Sequence, residues 1–439
     1  MRLVLISTYD MGRQPFGLAS PAAWLRAGGH QVTTADLSRE PLPSGCVQNA
    51  DWIAFHLPMH TATRMAIPVI EAARRLNPTA HICCYGLYAP VNEEMLRGLG
   101  VTHIVGGEFE RTLAELVSGS LVSGSTVTTS PVIMDRLQFL TPDRSTLPML
   151  GRYASLQLNG ARKLVGYTEA SRGCKHLCRH CPIVPVYEGK FRVVQRDVVL
   201  ADIRQQVAAG AQHITFGDPD FLNGPKHALA ILEAFAAEFP GVTYDVTIKV
   251  EHLLNHPDAL PVLARTGCLF ITSAVESMDD ALLTRLAKGH TRAGFDEALN
   301  LTRSHGLTMV PTFVAFTPWT TRADYLDLLR VIRDLDLINS VAPIQLAIRL
   351  LVPQGSKLLM DLEAPQFDAA ALAWRWSHPD PEMDRLCSDL QKLIRAGDKL
   401  GKSRSEMFTV IWQRAFGEFP DFHLTDRTTI PWLTEPWYC

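Results

Sequence analysis

The sequence lacks any apolar run of the roughly 18–20 residues that a membrane-spanning helix needs. It also lacks an excess of charge of either sign, since 42 basic and 45 acidic residues give a formal net charge of −3. A general nucleic-acid-binding protein usually carries a basic face, so this balance argues against one. The first residues predict a short buried strand, which Asp10 and Arg13 interrupt too soon for a signal peptide. We therefore expect a cytoplasmic protein with neither nucleic acid nor membrane as a partner.

The sequence also contains no internal repeat and no low-complexity segment. Its hydrophobic content of 47% and charged content of 20% are typical of a globular protein with an ample core. A chain of 439 residues is too long for one ordinary domain. The composition therefore predicts several packed domains.

Strand-like and helix-like segments alternate over residues 1–125. This alternation predicts an α/β fold that begins with a Rossmann-like, doubly wound domain, whose ligands bind at the carboxyl ends of the strands. The predicted strands are Leu3–Ser7, Gln31–Thr34, Trp52–Leu57, His81–Tyr85 and Thr102–Val105.

Residues 126–163, rich in Ser, Thr and Pro, predict a linker, and a second alternation covers residues 164–352. Six strand–helix pairs there predict a partial (β/α)6 barrel with its catalytic groups at the carboxyl ends of the strands. The predicted barrel strands are Val165–Glu169, His213–Gly217, Tyr244–Val250, Phe270–Val275, Met309–Phe316 and Ile344–Leu351. Residues 353–439 predict a short, mostly helical C-terminal region and a tail that ends in cysteine, with helices over Phe367–Trp376, Glu382–Gly397 and Ser403–Ala415.

Three of the nine cysteines, Cys174, Cys178 and Cys181, form a tight group directly after the first predicted barrel strand. In a reducing compartment such clustering indicates metal binding rather than disulfide pairing. Thiolates at these spacings can hold a cuboidal iron–sulfur cluster from one loop and leave one iron open to another ligand. The alternative is zinc with His176 or His180 as the fourth ligand, although zinc sites usually have two separated ligand pairs and no second pair lies nearby.

This cysteine loop after the first strand of a predicted barrel resembles the radical S-adenosylmethionine (SAM) superfamily. The preceding domain is similar to the cobalamin-binding domain of one large subgroup, and the segment from Gly106 to Leu116 resembles that subgroup's glycine–glutamate signature. The resemblance implies an enzyme that cleaves SAM at a [4Fe–4S] cluster. It also implies a small-molecule substrate and an electron donor of the flavodoxin or ferredoxin type.

The resemblance further implies which residues contact SAM. These are Asp218 and Asp220 after the second barrel strand, Lys249 or Glu251 on the third, Glu276 at the end of the fourth, Arg349 on the sixth, and His180 where the family usually has an aromatic residue. For Arg349 a surface ion pair stays open as the alternative. A carboxylate at a strand end is equally often the N-cap of the next helix, so a capping role stays open for Asp220.

Cobalamin also stays open as a cofactor. The loop of residues 8–17 contains no histidine at the place where cobalamin-binding domains carry their cobalt ligand. The resemblance therefore argues against cobalamin bound through a histidine and leaves two alternatives, in which the domain binds cobalamin without a protein ligand or binds nothing.

The ending of the chain, Thr434-Glu-Pro-Trp-Tyr-Cys439, resembles the subgroup named for a Cys-Sec-Ala-Glu-Pro or Cys-Cys-Ala-Glu-Pro tail. Thiolates prefer soft partners, so Cys439, with Cys387, is predicted to bind a soft atom during catalysis. The favoured hypothesis is transfer of the 3-amino-3-carboxypropyl group of SAM to trivalent arsenic, as in some enzymes of arsenical biosynthesis. The alternatives are a cobalamin-dependent methyltransferase acting on carbon and a non-catalytic iron–sulfur or zinc sensor.

Overall fold

The computed structural model describes residues 1–120, 132–422 and 424–435. Its N-terminal sheet has the strand order β2-β1-β3-β4-β5-β6, and all of its strand pairs are parallel. Side chains of β1 alternate between two cores, with Leu3 and Leu5 on one face of the sheet and Val4 and Ile6 on the other. Helices cover both faces, which explains why the strand is apolar throughout.

The elements of this domain follow one another in a βα pattern. Its strands are Arg2–Ser7 (β1), Gln31–Asp36 (β2), Trp52–His56 (β3), His81–Tyr85 (β4), His103–Gly107 (β5) and Val132–Ile133 (β6). Its helices are Phe16–Ala27 (α1), Ser44–Gln48 (α2), His60–Leu76 (α3), Glu93–Gly98 (α4) and Glu110–Ser118 (α5).

The second sheet has the order β14-β13-β12-β11-β8-β7-β17 and curls into an open barrel. Strands β8 and β11 to β14 are parallel, whereas β7 and β17 are antiparallel additions at one edge. A short ribbon, β9 with β10, carries the cysteine loop. The strands are Ser155–Leu158 (β7), Ala161–Thr168 (β8), Ser171–Gly173 (β9), Phe191–Val193 (β10), His213–Phe216 (β11), Thr243–Thr247 (β12), Cys268–Glu276 (β13), Thr308–Phe313 (β14), Gln366–Asp368 (β15), Ala373–Arg375 (β16) and Trp432–Leu433 (β17).

Helices flank the barrel, and two more pack on it from the C-terminal region. They are Val184–Tyr187 (α6), Arg196–Ala208 (α7), Pro225–Glu238 (α8), Val250–Asn255 (α9), Ala259–Arg265 (α10), Asp280–Arg285 (α11), Arg292–Ser304 (α12), Arg322–Asp334 (α13), Pro381–Lys399 (α14) and Arg404–Phe416 (α15). None of the helices in the described ranges is long and apolar enough to cross a membrane.

The predicted α/β class, a doubly wound domain followed by a partial barrel, is confirmed by this topology. The sixth barrel strand is reduced to one parallel bridge between Phe316 and Arg349. A 3-10 helix, Pro343–Ala347, takes the place of its predicted first half. Pro343 has no N–H to donate to a neighbouring strand, which accounts for the late start of the pairing.

The predicted helix over Phe367–Trp376 is wrong, because this segment forms the hairpin β15–β16. The Asp368 side chain accepts hydrogen bonds from the backbone N–H groups of Ala370 and Ala371, at 3.0 and 3.2 Å. Such a local turn competes with helix formation. Strands β6 and β7 lie within the segment predicted as a linker.

Candidate active site

A cavity of about 510 Å³ lies where the carboxyl ends of the two sheets meet. Cys174, Cys178 and Cys181 line it from the barrel. The loops that follow β1, β3, β4 and β5 line it from the N-terminal domain. In a doubly wound sheet this edge is where ligands bind, and in a barrel it is where catalysis occurs. One space therefore serves both domains.

The cysteine loop leaves β9 through Gly173, whose φ of 74° lies in the left-handed region. A Cβ at this position would lie 2.3 Å from the ring of Tyr187, so only glycine fits. Burial raises the pKa of Cys174 to about 11 and that of Cys181 to about 12. These thiols stay protonated until a metal displaces the proton, because the thiolate is the ligand.

The histidines considered as zinc ligands have other neighbours. His180 Nε2 lies 3.2 Å from Glu276 Oε1, and His176 Nε2 lies 3.1 Å from His252 Nε2. Ligand atoms of Cys174, His176 and Asp220 nevertheless lie within 4.8 Å of one another, which is a donor set that suits a single metal ion.

The two aspartates after β11 face different neighbours. Asp218 accepts hydrogen bonds from Ser171 Oγ at 2.5 Å and from the Ala170 N–H at 2.9 Å. Both donors precede the cysteine loop, and burial raises the pKa of Asp218 to about 7. Asp218 therefore tethers the start of the loop to the end of β11.

Asp220 lies beside histidines rather than beside the cavity. Its Oδ1 accepts a hydrogen bond from the Leu222 N–H at 3.2 Å, which is a capping contact. Its Oδ2 lies 2.7 Å from His252 Nδ1 and 3.5 Å from His176 Nε2. Burial alone would raise the pKa of Asp220, but these two histidines hold it below its usual range.

Glu276 ends β13 at a bulge and has a φ of 74°, which is unusual for a residue with a side chain. Its carboxylate pairs with Lys288 Nζ at 3.3 Å and with His180 at 3.2 Å. Burial would raise the pKa of Glu276, but Lys288, with help from His180, lowers it to about 2. The bulge therefore aims an ionised carboxylate into the cavity beside the cysteines.

Lys249 and Arg349 also line the cavity, and both have partners. Lys249 Nζ lies 3.2 Å from Glu251 Oε2. Arg349 pairs with Asp384, donates to the Trp376 carbonyl at 2.6 Å and stacks on the Trp376 ring. Both terminal nitrogens of Arg349 are engaged, so a bidentate bond to a SAM carboxylate would require these partners to be displaced.

Of the two cysteines predicted to bind a soft atom, only Cys387 is among the described residues. Cys387 is buried in α14, where its Sγ lies 3.7 Å from the Ala347 carbonyl, and it is not among the described residues that line the cavity. Burial raises the pKa of Cys387 to about 11. Cys439 lies outside the described residues.

Several residues of the cavity wall were missed by sequence reasoning. Lys288 follows α11 in a turn in which Ala287 and Gly289 both have positive φ, and nothing in the sequence marks it. Arg172 stands inside the cysteine motif, yet its role depends on distant residues. It donates to Glu110 at 2.6 and 2.9 Å and to Glu169 at 2.7 Å. Asp10 and His56 line the opposite wall.

Comparison with known proteins assigns the barrel. Residues 168–332 match the radical SAM superfamily. The hopanoid C-3 methylase of Methylococcus capsulatus is 24% identical over 324 residues, which cover 70% of this chain and 62% of that protein. The chain spans about half of the length of the first curated relatives that it matches, between 46% and 62%.

Two solved structures share the fold. The cobalamin-dependent SAM radical enzyme OxsB with aqua-cobalamin bound superposes with a TM-score of 0.71 at 14% identity, over 91% of this chain and 67% of OxsB. The radical SAM methyltransferase TsrM from Kitasatospora setae, with cobalamin and a [4Fe–4S] cluster bound, has a TM-score of 0.59 at 16% identity. That match covers 76% of this chain and 70% of TsrM.

Proposed function

We propose, from the premise that this chain is a radical SAM enzyme, that it transfers the methyl group of SAM to a carbon atom of a small molecule with cobalamin as the carrier. The hopanoid C-3 methylase and TsrM are methyltransferases, so this alternative now takes precedence over aminocarboxypropyl transfer to arsenic. As the chain is an enzyme, the hypothesis of a non-catalytic sensor is set aside.

The observation that carries this proposal is the shared cavity. A carrier and a radical source must both reach one substrate, so they must face the same space. The three cysteines lie on one side of the cavity, and the ends of β1, β3, β4 and β5 lie on the other. A ligand that acted only at the N-terminal sheet would not require the ligand-binding edge of that sheet to open towards the barrel.

The residues present fit these cofactors. Cys174, Cys178 and Cys181 would hold the [4Fe–4S] cluster, and no fourth cysteine among the described residues lines the cavity. On the opposite side the loops that follow β1, β3, β4 and β5 line the cavity, at the edge where a doubly wound sheet binds its ligand. When bound, the reduced cluster supplies the electron that cleaves SAM, and cobalamin supplies a methyl carrier.

The chain's own residues would then orient and hold SAM. We assign Glu276 and His180 to polar contacts with SAM, and Lys249 to its carboxylate. Asp218 lines the cavity and tethers the cysteine loop, whereas Asp220 acts one step away by fixing His176 beside Cys174. Arg349 contacts SAM only if its ion pair with Asp384 breaks and the carboxylate of SAM replaces that of Asp384.

A second function is favoured by one specific observation. Strand β17 pairs with β7, and Glu435, two residues after β17, lines the cavity. The last described residues of the chain therefore form part of the cavity wall. This observation favours transfer of a SAM-derived carbon group to a soft acceptor, a hypothesis in which Cys439, outside the described residues, would bind the acceptor, whereas Cys387 does not line the cavity.

Identification of the SAM products tests the proposal. Anaerobic protein with a reconstituted cluster and added cobalamin would be given SAM with a deuterated methyl group and a strong reductant, and the nucleosides would be separated by mass spectrometry. Methylation through cobalamin predicts both 5′-deoxyadenosine and S-adenosylhomocysteine. Methylthioadenosine would instead mean that the bond to the aminocarboxypropyl group breaks, which would overturn methyl transfer in favour of the second function.

Cys181→Ala supplies the matched variant. It should lose the iron–sulfur absorbance and every SAM product, because one cluster ligand is gone. Cys268→Ala is the control, since Cys268 is a buried cysteine at the start of β13 and does not line the cavity. Equal loss in both variants would mean that the effect is a folding defect and would remove the support for the cluster assignment.

A further inference from the structure

Three histidines among the described residues line the cavity, and they differ in their partners. His60 Nε2 lies 2.6 Å from the Ala371 carbonyl, and His180 Nε2 lies 3.2 Å from Glu276. Among the same residues His56 has neither a hydrogen bond nor an ion pair, and its Nδ1 is buried without a partner. An imidazole withdrawn from water without a hydrogen bond costs free energy, so its place in a ligand cavity calls for an explanation.

The position of His56 in the sheet is also informative. It is the last residue of β3 and pairs in register with Ser7, the last residue of β1. In the order β2-β1-β3-β4-β5, the chain runs from β1 to β2 in one direction across the sheet and from β3 to β5 in the other, so the direction switches between β1 and β3. Ligands of doubly wound sheets bind in the crevice at this switch point. His56 therefore stands at the centre of the ligand edge.

The ring of His56 is held in a narrow slot. The ring packs on Gly17, where a Cβ would lie 2.1 Å from it, and the rings of Tyr85 and Phe109 lie close by, with centroids at 5.3 and 6.0 Å. Only 8% of the residue is exposed. A ring fixed this tightly is preorganised, because little side-chain entropy remains to be lost when it binds a ligand.

The protonation state of His56 suits a metal ligand. Burial, with the nearby guanidinium of Arg172, lowers the pKa of His56 to about 3. The ring is therefore neutral at every pH at which the protein would be handled. A neutral imidazole keeps the nitrogen lone pair that a metal requires.

We propose that His56 is the nitrogen ligand that this protein gives to the cobalt of a bound corrinoid. It would take the place of the histidine that the loop of residues 8–17 lacks, from the neighbouring strand β3 instead of the loop after β1. The inference rests on the proposed function, since it assumes that the cavity takes a corrinoid. It adds the protein ligand that the sequence alone did not reveal.

Electron paramagnetic resonance of bound cob(II)inamide tests the assignment. Cobinamide lacks the nucleotide base of cobalamin, so any axial nitrogen must come from the protein. The holoenzyme, with its cluster in the oxidised and EPR-silent state, would be loaded in a buffer without amines. Ligation by His56 predicts that the cobalt hyperfine lines split into triplets from one ¹⁴N nucleus.

Two variants identify the nitrogen. His56→Gln should bind cobinamide without the triplet splitting, whereas His60→Gln should keep it, because His60 is already bonded to the chain. Splitting that survives in His56→Gln would overturn the assignment. Bound cobinamide without splitting in the unaltered protein would also overturn it, but would leave the proposed cofactor intact. Failure of the unaltered protein to bind any corrinoid would overturn both the assignment and the cofactor.

A rescue experiment separates ligation from folding. His56→Ala opens the slot beside Gly17, and added [¹⁵N₂]imidazole should occupy it. The expected result is a doublet splitting, because ¹⁵N has spin one half. Retained cluster absorbance shows that the variant is folded, and in folded protein the absence of any doublet would count against a cobalt site next to the slot.

Discussion

Glu276 carries two unfavourable features. Its ionised carboxylate is buried, and its backbone φ is positive. Its φ of 74° costs on the order of 1–3 kcal/mol for a residue with a Cβ. Its pKa is nevertheless lowered to about 2, since burial is outweighed by Lys288 and His180. A backbone conformation of this kind persists only when contacts with the rest of the protein hold it. Here the ion pair with Lys288 is such a contact.

Lys288→Met tests this pairing. Removing the ammonium leaves Glu276 as a buried carboxylate with His180 as its remaining described partner, so we expect a loss of about 3–5 kcal/mol in the free energy of unfolding. Adding Glu276→Gln to Lys288→Met should recover part of the loss, because the unpaired charge is gone. Urea unfolding of these two variants and of Glu276→Gln alone measures the coupling. Lys226→Met, at an exposed lysine on α8, is the control, and an equal loss there would contradict the pairing.

Asp10 provides a prediction of pH dependence. Burial, only partly offset by Arg13, raises the pKa of Asp10 from 3.8 to about 7. An acid whose pKa is higher in the folded state destabilises the fold as pH rises from about 4 to about 7, and the full penalty then remains at higher pH. The shift corresponds to about 4 kcal/mol.

Asp10→Asn should therefore be more stable than the unaltered protein at pH 8 and differ little from it at pH 4. Thermal unfolding at the two pH values gives the comparison. Asp197→Asn, at an exposed aspartate on α7, should show no such pH-dependent gain. A gain of equal size at both pH values would mean that ionisation of Asp10 is not its cause.

At the scale of elements, the antiparallel pair β7–β17 joins the C-terminal segment to the barrel edge. The Thr434 N–H donates to the Ser155 carbonyl, and Thr434 Oγ1 accepts from the Ser155 N–H, each at 2.9 Å. Trp432 and Leu433 extend the sheet beside these bonds and line the cavity. The pairing thus makes β17 part of the cavity wall.

Thr434→Pro removes the donor and the hydroxyl acceptor together, so it should release β17 from β7. Hydrogen exchange of the Ser155 amide is the measurement. We expect exchange to be about tenfold faster or more, which corresponds to a loss of about 1.4 kcal/mol in local opening. Thr434→Ser keeps both groups and should leave the exchange rate unchanged. Slow exchange in the proline variant would show that the β7 edge is protected by other contacts.

The elements that the sequence predicts well are those with strong local periodicity. Five of the six strands of the N-terminal sheet, β1 to β5, are predicted within about two residues of their bounds, because buried parallel strands are largely apolar. Strand β17 was missed, since two residues carry no period and its pairing is with β7, far away in sequence. The hairpin β15–β16 was mistaken for a helix because the turn at Asp368 depends on side-chain hydrogen bonds.

The same distinction applies to the site. Cys174, Cys178 and Cys181 are predictable because one loop contains all three. Lys288 and His56 are not, because their roles arise from residues distant in sequence and from burial. For Arg349 the sequence leaves a SAM contact and an ion pair as alternatives, and only the structure identifies Asp384, 35 residues away, as its partner.

At the scale of the whole molecule, two buried arginines join the domains around the cavity. Arg172 connects β9 to Glu110 on α5 and is surrounded by the rings of Phe16, Phe109 and Phe139. Arg144 donates to both carboxylate oxygens of Asp202, to Gln14 Oε1 and to the Tyr167 carbonyl. A guanidinium has enough donors to hold several elements at once, which an ammonium does not.

Arg144→Met should therefore uncouple the two domains, because it removes four hydrogen bonds and leaves Asp202 buried without its cation. We expect a loss of about 3–5 kcal/mol in the free energy of unfolding, and two calorimetric transitions in place of one. Arg144→Lys should lose less free energy of unfolding than Arg144→Met, because lysine keeps the positive charge, although it cannot make the bidentate hydrogen bonds of the guanidinium. Arg162→Met, at an exposed arginine on β8, is the control and should change stability by less than about 0.5 kcal/mol. A single transition with unchanged midpoint in Arg144→Met would mean that Arg172 and the apolar contacts hold the domains together without it.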